Sequence, residues 1–349
     1  MARKYDLVIC GYYGFDNLGD ELICRALIEM AFEAGLKKDR ICVLSSDPRK
    51  TESRFGVASV NRWNFLEVLN ALRQSRGFLL GGGGLFQDST SLKSCLYYWG
   101  VVLMAQMAGA VPWAFGQSVG PLNSKAARML TKDALRRCRV RFVRDESSQK
   151  LLTSLGLDSK IAPDPVFYLK FDKPDKEVFK KTLVFNVRPV RDDKGVSKLL
   201  VQNVELFAKM HKYDLRAICM SEEDLLELKR LESFVKFDDV VVPKDLKDAI
   251  LAFEGATAAV GMRLHFCILA LMNQVPVIAV PYDPKVRSFA SKWNIPLWEG
   301  EGDLDRKITG IRKAKPEEIA TARKTLQEAF FLALRTTLGD EKFCSVSLN

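Results

Sequence analysis

The chain has 349 residues, 48% of them hydrophobic and 28% charged, which is the balance of a soluble globular protein with two domains. This composition excludes a disordered, collagen-like or mini-protein chain, and no apolar run approaches the ~18 residues that a membrane-spanning helix needs. The formal net charge of +10 favours an anionic substrate, nucleic acid or an anionic membrane surface, without choosing among them.

Short apolar runs alternate with helical patterns along the whole chain. In chain order, we predict strands at 7–10, 41–44, 77–80, 112–115, 140–143, 182–185, 215–220, 240–242, 258–260 and 275–280. The predicted helices cover 21–34, 64–74, 95–107, 125–138, 198–210, 222–234, 246–253, 264–272, 284–293 and 317–334. Alternation of this kind is typical of right-handed crossovers between parallel strands. We therefore predict the α/β class, with two parallel-sheet Rossmann-like domains facing a cleft.

The domain boundaries follow from a proline-containing stretch near the middle of the chain. We predict an N-terminal α/β domain at 1–165, a linker at 166–181, a C-terminal α/β domain at 182–315, and a C-terminal helix and tail at 316–349. The eight cysteines form no Cys-x-x-Cys pair, and with two histidines no zinc spacing can be drawn. The N-terminus runs straight into a strand without a signal core. These features indicate reduced core cysteines in a cytoplasmic protein.

In open α/β sheets, ligands bind beyond the carboxyl ends of strands, so the loops after the strands carry the candidate residues. In the first domain, Asp20 follows a glycine-containing turn and is either a helix cap or a ligand. The run Gly81–Gly84 is either a tight turn or a place where a ligand approaches the backbone closely. Gln117 is a candidate polar contact, and Arg144 is either a salt-bridge partner or an anion ligand.

In the second domain, Arg188 is the counterpart of the first-domain arginine, and Arg263 precedes a predicted helix. His265 lies beside that arginine near the helix start. A lone histidine there is either a core residue or a group that moves protons near neutral pH. Lys285 lies near a helix start, where a cation is disfavoured unless an anion is close. His211, at a helix end, is interpreted as a surface cap.

Residues 121–150 carry nine basic residues against three acidic ones. The simplest interpretation is a solvated helix face. A second hypothesis is that the stretch docks the protein on anionic lipid through Lys125, Arg128, Lys132, Arg136 and Arg139.

In order, these motifs resemble the polysaccharide pyruvyl transferase family, specifically its CsaB type. The matching segments run from residue 11 to about 287, a range that covers most of the chain, and they read GYYGFDNLGDE, LLGGGGLFQD, GQSVGPL, FVRDESS, PDPVF, FNVRP, GMRLHFCILAL and PVIAVPYDPKV. One departure is that FNVRPVRD lacks the aromatic residue expected just after Arg-Pro, so acceptor contacts are not carried over there.

The resemblance implies a fold similar to the two-domain GT-B glycosyltransferases. It also implies that a pyruvyl group moves from phosphoenolpyruvate onto two hydroxyls of one sugar, with formation of a cyclic ketal and release of phosphate. For the CsaB type, the implied acceptor is N-acetylmannosamine of a lipid-linked bacterial cell-wall polysaccharide precursor. The product would anchor surface-layer proteins, and the enzyme would work in the cytoplasm or at the inner face of the plasma membrane.

Phosphoenolpyruvate carries a phosphate and a carboxylate on three carbons, so its site needs several fixed cations. We expect His265 to transfer protons, Asp20 to orient or deprotonate the acceptor hydroxyls, and Arg144 to complete the catalytic set. The expected substrate-binding residues are Gly14, Asn17, Gly82, Gly83, Gln117, Arg188, Arg263 and Lys285. We expect no cofactor and no metal.

The alternative is a glycosyltransferase or an epimerase that uses a nucleotide sugar on the same fold. Such enzymes typically place a Glu shortly after the diphosphate loop, and the segment after His265 reads FCILAL, without an acid. A third class is a non-enzymatic protein that binds lipid or nucleic acid through residues 121–150. No recognised nucleic-acid module accompanies the charge, so nucleic acid is not expected as a partner.

Overall fold

The computed structural model describes residues 3–89, 91–170, 181–190, 195–300, 304–311 and 313–339. The chain divides into two compact units. The first holds the described residues of Met1–Phe15, Asp20–Leu169 and Ala322–Asn349, and the second holds those of Asp16–Gly19 and Lys170–Thr321. Part of the predicted linker, 171–180, and the end of the predicted tail, 340–349, lie outside the described residues.

The described part of the first unit contains a parallel sheet of seven strands in the order β3-β2-β1-β4-β5-β6-β7. The strands are β1 (Tyr5–Cys10), β2 (Ile41–Ser45), β3 (Ala58–Asn61), β4 (Ser75–Phe86), β5 (Val111–Val119), β6 (Arg141–Val143) and β7 (Lys160–Ile161). The helices are α1 (Leu18–Glu33), α2 (Pro48–Phe55), α3 (Phe65–Arg73), α4 (Lys93–Met107), α5 (Lys125–Arg137) and α6 (Glu146–Ser154).

The described part of the second unit contains a parallel sheet of five strands in the order β10-β9-β8-β11-β12. The strands are β8 (Thr182–Asn186), β9 (Asp214–Ile218), β10 (Asp239–Val241), β11 (Ala256–Gly261) and β12 (Val277–Ala279). The helices are α7 (Val196–His211), α8 (Glu222–Leu231), α9 (Leu246–Ala252), α10 (Leu264–Met272), α11 (Pro284–Lys292) and α12 (Leu304–Thr309). The prediction of two parallel-sheet α/β domains is confirmed.

Local sequence explains why these elements form. All six residues of β1 are buried, as a central strand covered by helices on both faces requires. The sequence of α10 is apolar all round, and the residues after His265 in that helix are buried. In α2, the Asp47 side chain accepts a hydrogen bond from the Lys50 N–H, and Gly56 ends the helix with a φ of 66°.

Two strands are longer than predicted. β4 continues through the four glycines to Phe86 instead of ending at Leu80, and β5 continues to Val119. Gly83 pairs with Gln117 in the ladder, and the register shifts between Gly83 and Phe86. The glycine run is therefore the irregular end of a strand rather than a loop.

The last helix of the described chain, α13 (Pro316–Leu338), contributes most of its length to the first unit. Phe330 is fully buried there, with its ring 5.5 Å from the ring of Trp113 and 5.2 Å from that of Phe115. Arg323 donates a hydrogen bond of 2.9 Å to the Leu169 carbonyl.

The seven cysteines that lie within the described residues are all buried and free, and Cys344 lies outside them.

Candidate functional site

At the carboxyl edge of the first sheet, Asp20 lies against the glycine run. Asp20 sits in the first turn of α1, and a Cβ added to Gly83 would lie 2.7 Å from its Oδ1. Gly83 also has a φ of +78°, which side chains rarely adopt. The N-cap interpretation of Asp20 is wrong, because α1 begins at Leu18 and the Asn17 Oδ1 accepts from the Gly19 N–H at 3.2 Å. The glycines thus admit a carboxylate side chain close to the backbone.

The loop after β1 is held by internal contacts. The Gly14 N–H donates to the Glu21 Oε1 at 2.7 Å, and Glu21 pairs with Arg54 at 3.0 Å. The Tyr13 hydroxyl donates to the Gly81 carbonyl at 2.6 Å. Gly14 therefore uses its N–H within the protein, and the loop shape is fixed against β4.

Gln117 lies at the same edge and is almost fully buried. Its Nε2 donates to the Leu80 carbonyl at 3.2 Å, while its Oε1 has no hydrogen-bond partner within the part of the chain that the structure describes. A buried acceptor without a partner is costly and is a candidate contact for a ligand donor.

Arg144 belongs to a buried network at the end of β6. Its Nη1 is 2.6 Å from the Asp164 Oδ2, its Nε donates to the Ser118 Oγ at 2.7 Å, and both side chains of the ion pair are 4% exposed. The Ser118 hydroxyl in turn donates to Asp145 at 2.6 Å. Burial alone would raise the pKa of the Asp145 carboxyl, but hydrogen bonds from Ser118 and other donors outweigh burial and lower it. The guanidinium of Arg144 is thus engaged within the protein.

In the second unit, His265 lies in the first turn of α10 and is half-buried. The short segment Asp16–Gly19 groups with this unit, and the Leu18 N–H donates to the Met220 carbonyl at 3.0 Å. A Cβ added to Gly19 would lie 1.9 Å from the His265 Nδ1. A glycine at this position therefore allows the backbone to pack directly on the imidazole.

Arg263 is held rigidly by residues that follow neighbouring strands. Its Nε is 2.8 Å from the Oδ1 of the fully buried Asp224, and its Nη2 donates to the Ser221 Oγ at 2.7 Å. The backbone N–H of Arg263 donates to the Asn186 Oδ1 at 3.0 Å. Burial alone would lower the pKa of Arg263, but Asp224 outweighs it and raises the pKa. Arg263 is therefore a fixed cation.

Arg188 and Lys285 supply two further cations at this edge. The Arg188 Nη1 donates to the Tyr282 hydroxyl at 2.7 Å, and its guanidinium lies 4.4 Å from the centre of that ring. Across the described residues, Arg188 makes no ion pair with a carboxylate. Lys285 lies 3.1 Å from Asp283, which caps α11. Because β8, β11 and β12 are neighbours spaced by ~4.8 Å, the cations that follow them share one edge.

Sequence reasoning missed the partners of these side chains. Asp164 lies in the PDPVF segment, and Asp224 lies in the acidic first turn of α8. Acidic residues are common in the first turn of a helix because they interact favourably with the helix dipole, so Asp224 did not stand out. Tyr282 lies in the PYDP segment. His211 is the exposed last residue of α7, where its Nε2 pairs with Asp305 at 2.9 Å, and its role as a cap stays a prediction. No group of three or more His, Cys, Asp or Glu side chains within the described ranges could hold a metal ion.

Comparison with known proteins adds a family and a fold. The sequence model of polysaccharide pyruvyl transferases matches residues 17–284. No curated protein sequence matches the chain significantly.

Among solved structures, the chain is similar to a glycosyltransferase involved in avilamycin A biosynthesis, with 14% identity, coverage of 95% of this chain and 97% of that one, and a TM-score of 0.54. It is similar to the UDP-GlcNAc 2-epimerase of Neisseria meningitidis bound to UDP-GlcNAc, with 11% identity, coverage of 96% and 97%, and a TM-score of 0.54. It is also similar to the sucrose-phosphate synthase of Thermosynechococcus elongatus, with 13% identity, coverage of 95% and 94%, and a TM-score of 0.55. At these identities the likeness concerns the fold alone.

Proposed function

Because the chain belongs to the polysaccharide pyruvyl transferase family, we propose that it transfers the pyruvyl group of phosphoenolpyruvate to a cell-wall polysaccharide precursor. Two hydroxyls of one acceptor sugar receive the group, forming a cyclic ketal and releasing phosphate. The proposed acceptor is N-acetylmannosamine on a lipid-linked saccharide, as in the CsaB type, whose products anchor surface-layer proteins. The proposed location is the cytoplasm or the inner face of the plasma membrane. No cofactor or metal takes part in the proposed reaction.

The observation that carries this proposal is the set of cations at the carboxyl edge of the second sheet. Arg188, Arg263 and Lys285 follow the neighbouring strands β8, β11 and β12, and His265 stands in the first turn of the helix after β11. A phosphate and a carboxylate on three carbons need several charge-assisted hydrogen bonds within a short distance. Arg188 is the best-suited donor ligand, since a tyrosine hydroxyl rather than a carboxylate orients it.

The proposed reaction needs a group that transfers protons, and the imidazole of His265 is suited to this role. Protonation of the methylene carbon of phosphoenolpyruvate turns it into a methyl group and makes the neighbouring carbon electrophilic. The first sugar hydroxyl adds there and loses its proton, phosphate leaves, and the second hydroxyl closes the ring and gives its proton to the departing phosphate. We assign the transfer of these protons to His265.

In the first unit, the proposal places the acceptor beside the glycine run. Asp20 lies against Gly83, where a carboxylate can accept the proton of a sugar hydroxyl or orient it. The Oε1 of Gln117 is the second acceptor for a hydroxyl. Arg144 is already bound to Asp164 and Ser118, so its role in catalysis stays a prediction, and the contacts favour a positioning role.

The test is an assay of phosphate release from phosphoenolpyruvate, with mass spectrometry of a saccharide that ends in N-acetylmannosamine. We expect Arg188→Ala to raise the KM for phosphoenolpyruvate at least ~10-fold, because a hydrogen bond to a charged group contributes ~1.5–3 kcal/mol. Lys247→Ala, which removes an exposed cation elsewhere in the same unit, should leave KM unchanged. Equal KM values for the two variants would contradict the donor site.

A second measurement separates the proposal from a nucleotide-sugar enzyme. Thermal unfolding in the presence of phosphoenolpyruvate or of UDP-sugars reports which donor the folded protein binds. We expect stabilisation by phosphoenolpyruvate. Stabilisation by UDP-sugars alone, with no ketal product, would overturn the proposed function.

A further inference from the structure

The outer face of α4 is apolar along its whole length. Leu92, Leu96, Leu103 and Met107 recur at spacings of four, seven and four residues across α4 and its cap, which places them on one side of the helix. Leu92, Leu96 and Met107 are 39%, 52% and 79% exposed. A helix face that meets only water is normally polar, so this face is suited to being covered.

A basic stripe runs beside this apolar face, on α5. The helices are joined where the Trp99 Nε1 donates to Asp133 at 2.8 Å. One side of α5 carries the exposed side chains of Lys125, Arg128, Met129, Lys132 and Arg136. Asp133 is the one acid of α4 and α5, and hydrogen bonds from Arg137 and Trp99 hold its pKa low. The surface made by the two helices is therefore apolar and cationic.

Exposed apolar side chains extend the surface at the start of α3. Trp63, Phe65 and Leu66 are 62%, 61% and 73% exposed. The Trp63 ring lies 5.3 Å from the ring of Tyr97 on α4, which makes this turn continuous with the apolar face. An exposed indole beside an apolar surface suits the interface between water and lipid.

We propose that this surface, which we call the docking face (the exposed side chains of Trp63–Leu66, α4 and α5), binds an anionic lipid bilayer. Apolar side chains enter the boundary of headgroups and acyl chains, while the stripe on α5 meets the lipid phosphates. A second copy of the chain is disfavoured, because a two-fold contact would bring the two cationic stripes together. Nucleic acid is disfavoured by the apolar side chains at the centre of the surface. The proposal goes beyond the pyruvyl transfer reaction and does not depend on it.

The surface also refines the hypothesis drawn from residues 121–150. Three other arginines of this stretch bond within the protein. Arg137 bonds to Asp133 and Gln106, Arg141 to the Asp158 carbonyl, and the buried Arg144 to Asp164. On α5 itself the exposed cations are thus Lys125, Arg128, Lys132 and Arg136, and Arg139 is exposed just beyond the end of the helix. In addition, the docking face adds an apolar component that the charge pattern did not indicate.

The test is co-sedimentation of the full chain with phosphatidylcholine vesicles, with and without phosphatidylglycerol. We expect binding that needs phosphatidylglycerol, and charge reversal at three stripe positions should lower the partition coefficient ~100-fold or more, since each cation near the surface counts for ~1 kcal/mol. That variant carries Lys125→Glu, Arg128→Glu and Lys132→Glu. Its matched control carries Lys236→Glu, Lys244→Glu and Lys247→Glu in the other unit, and should bind like the wild type.

The apolar contribution needs its own pair of variants. Leu96→Gln with Met107→Gln should weaken binding at least ~10-fold, because each residue loses a buried apolar side chain. Leu206→Gln with Met210→Gln, at similarly exposed positions of α7, should not weaken it. All variants are on the surface, and their urea unfolding curves should match the wild type.

Three results would overturn the proposal. One is vesicle binding that does not depend on anionic lipid, and another is equal binding by the docking-face variants and their controls. The third is that the wild type binds no vesicles but forms a dimer in analytical ultracentrifugation, and that the double variant Leu96→Gln with Met107→Gln is a monomer. That outcome would assign the surface to a second copy.

Discussion

The ion pair between Arg144 and Asp164 offers a direct test of how the end of β6 is held. The two side chains are 2.6 Å apart and 4% exposed, so neither has water to replace a lost partner. Arg144→Met keeps most of the side-chain volume but leaves the Asp164 carboxylate buried without its counter-charge. Breaking a buried pair in this way costs ~3–5 kcal/mol.

We expect this loss to appear as a fall in the free energy of unfolding, measured by urea titration with circular dichroism. At an m-value of roughly 2–3 kcal/mol per M, the midpoint should move down by about 1–2.5 M. The double variant Arg144→Met with Asp164→Leu removes both charges, and should be far more stable than the sum of the single changes implies. The non-additivity is the signature of direct coupling.

If the urea midpoint of Arg144→Met equalled that of the wild type, the stabilising role of the ion pair would be refuted. If the same variant also bound phosphoenolpyruvate more weakly by calorimetry, the guanidinium would be a donor ligand rather than a structural group. A large loss of stability with strictly additive single and double variants would also contradict the pairing.

Three further outcomes are expected. Gly19→Ala places a methyl group 1.9 Å from the His265 Nδ1, so the imidazole must shift and turnover should fall ~100-fold; wild-type turnover would contradict the packing. Asp224→Asn removes the carboxylate that compensates the buried Arg263, so the free energy of unfolding should fall by ~3 kcal/mol, and an unchanged urea curve would contradict this. Burial raises the pKa of the Cys267 thiol to about 12, so iodoacetamide should label this cysteine at pH 8 only when urea has unfolded the chain. Peptide mass spectrometry measures the labelling, and labelling of Cys267 in the native chain would contradict this expectation.

The elements best predicted from the sequence are those whose pattern is unambiguous. The helix α10 was predicted with its exact bounds, because an apolar run is framed by Arg263 and Asn273. The segments α2 and β3 were missed, since α2 reads PRKTESRF and buries only Thr51, and every residue of β3 is half-buried. Neither segment has the apolar periodicity on which such predictions depend.

The candidate site likewise has features that could be predicted from the sequence and features that could not. Loops after strands could be identified because the parallel-sheet rule applies to any α/β sequence. The partners of Arg144 and Arg263, Asp164 and Asp224, could not, since they lie 20 and 39 residues away and only the folded chain sets the pairing. The same holds for the contact of Gly83 with Asp20, because a glycine gives no sign of which side chain will occupy the space beside it.

The position of α13 has a consequence for how the protein is made. Its buried Phe330 packs on Trp113 and Phe115, so the first unit lacks part of its core until α13 has left the ribosome. A truncated gene product that ends at Leu169 would expose these rings and aggregate, whereas the fragment should recover its fold when a peptide spanning Ala322–Leu338 is supplied separately.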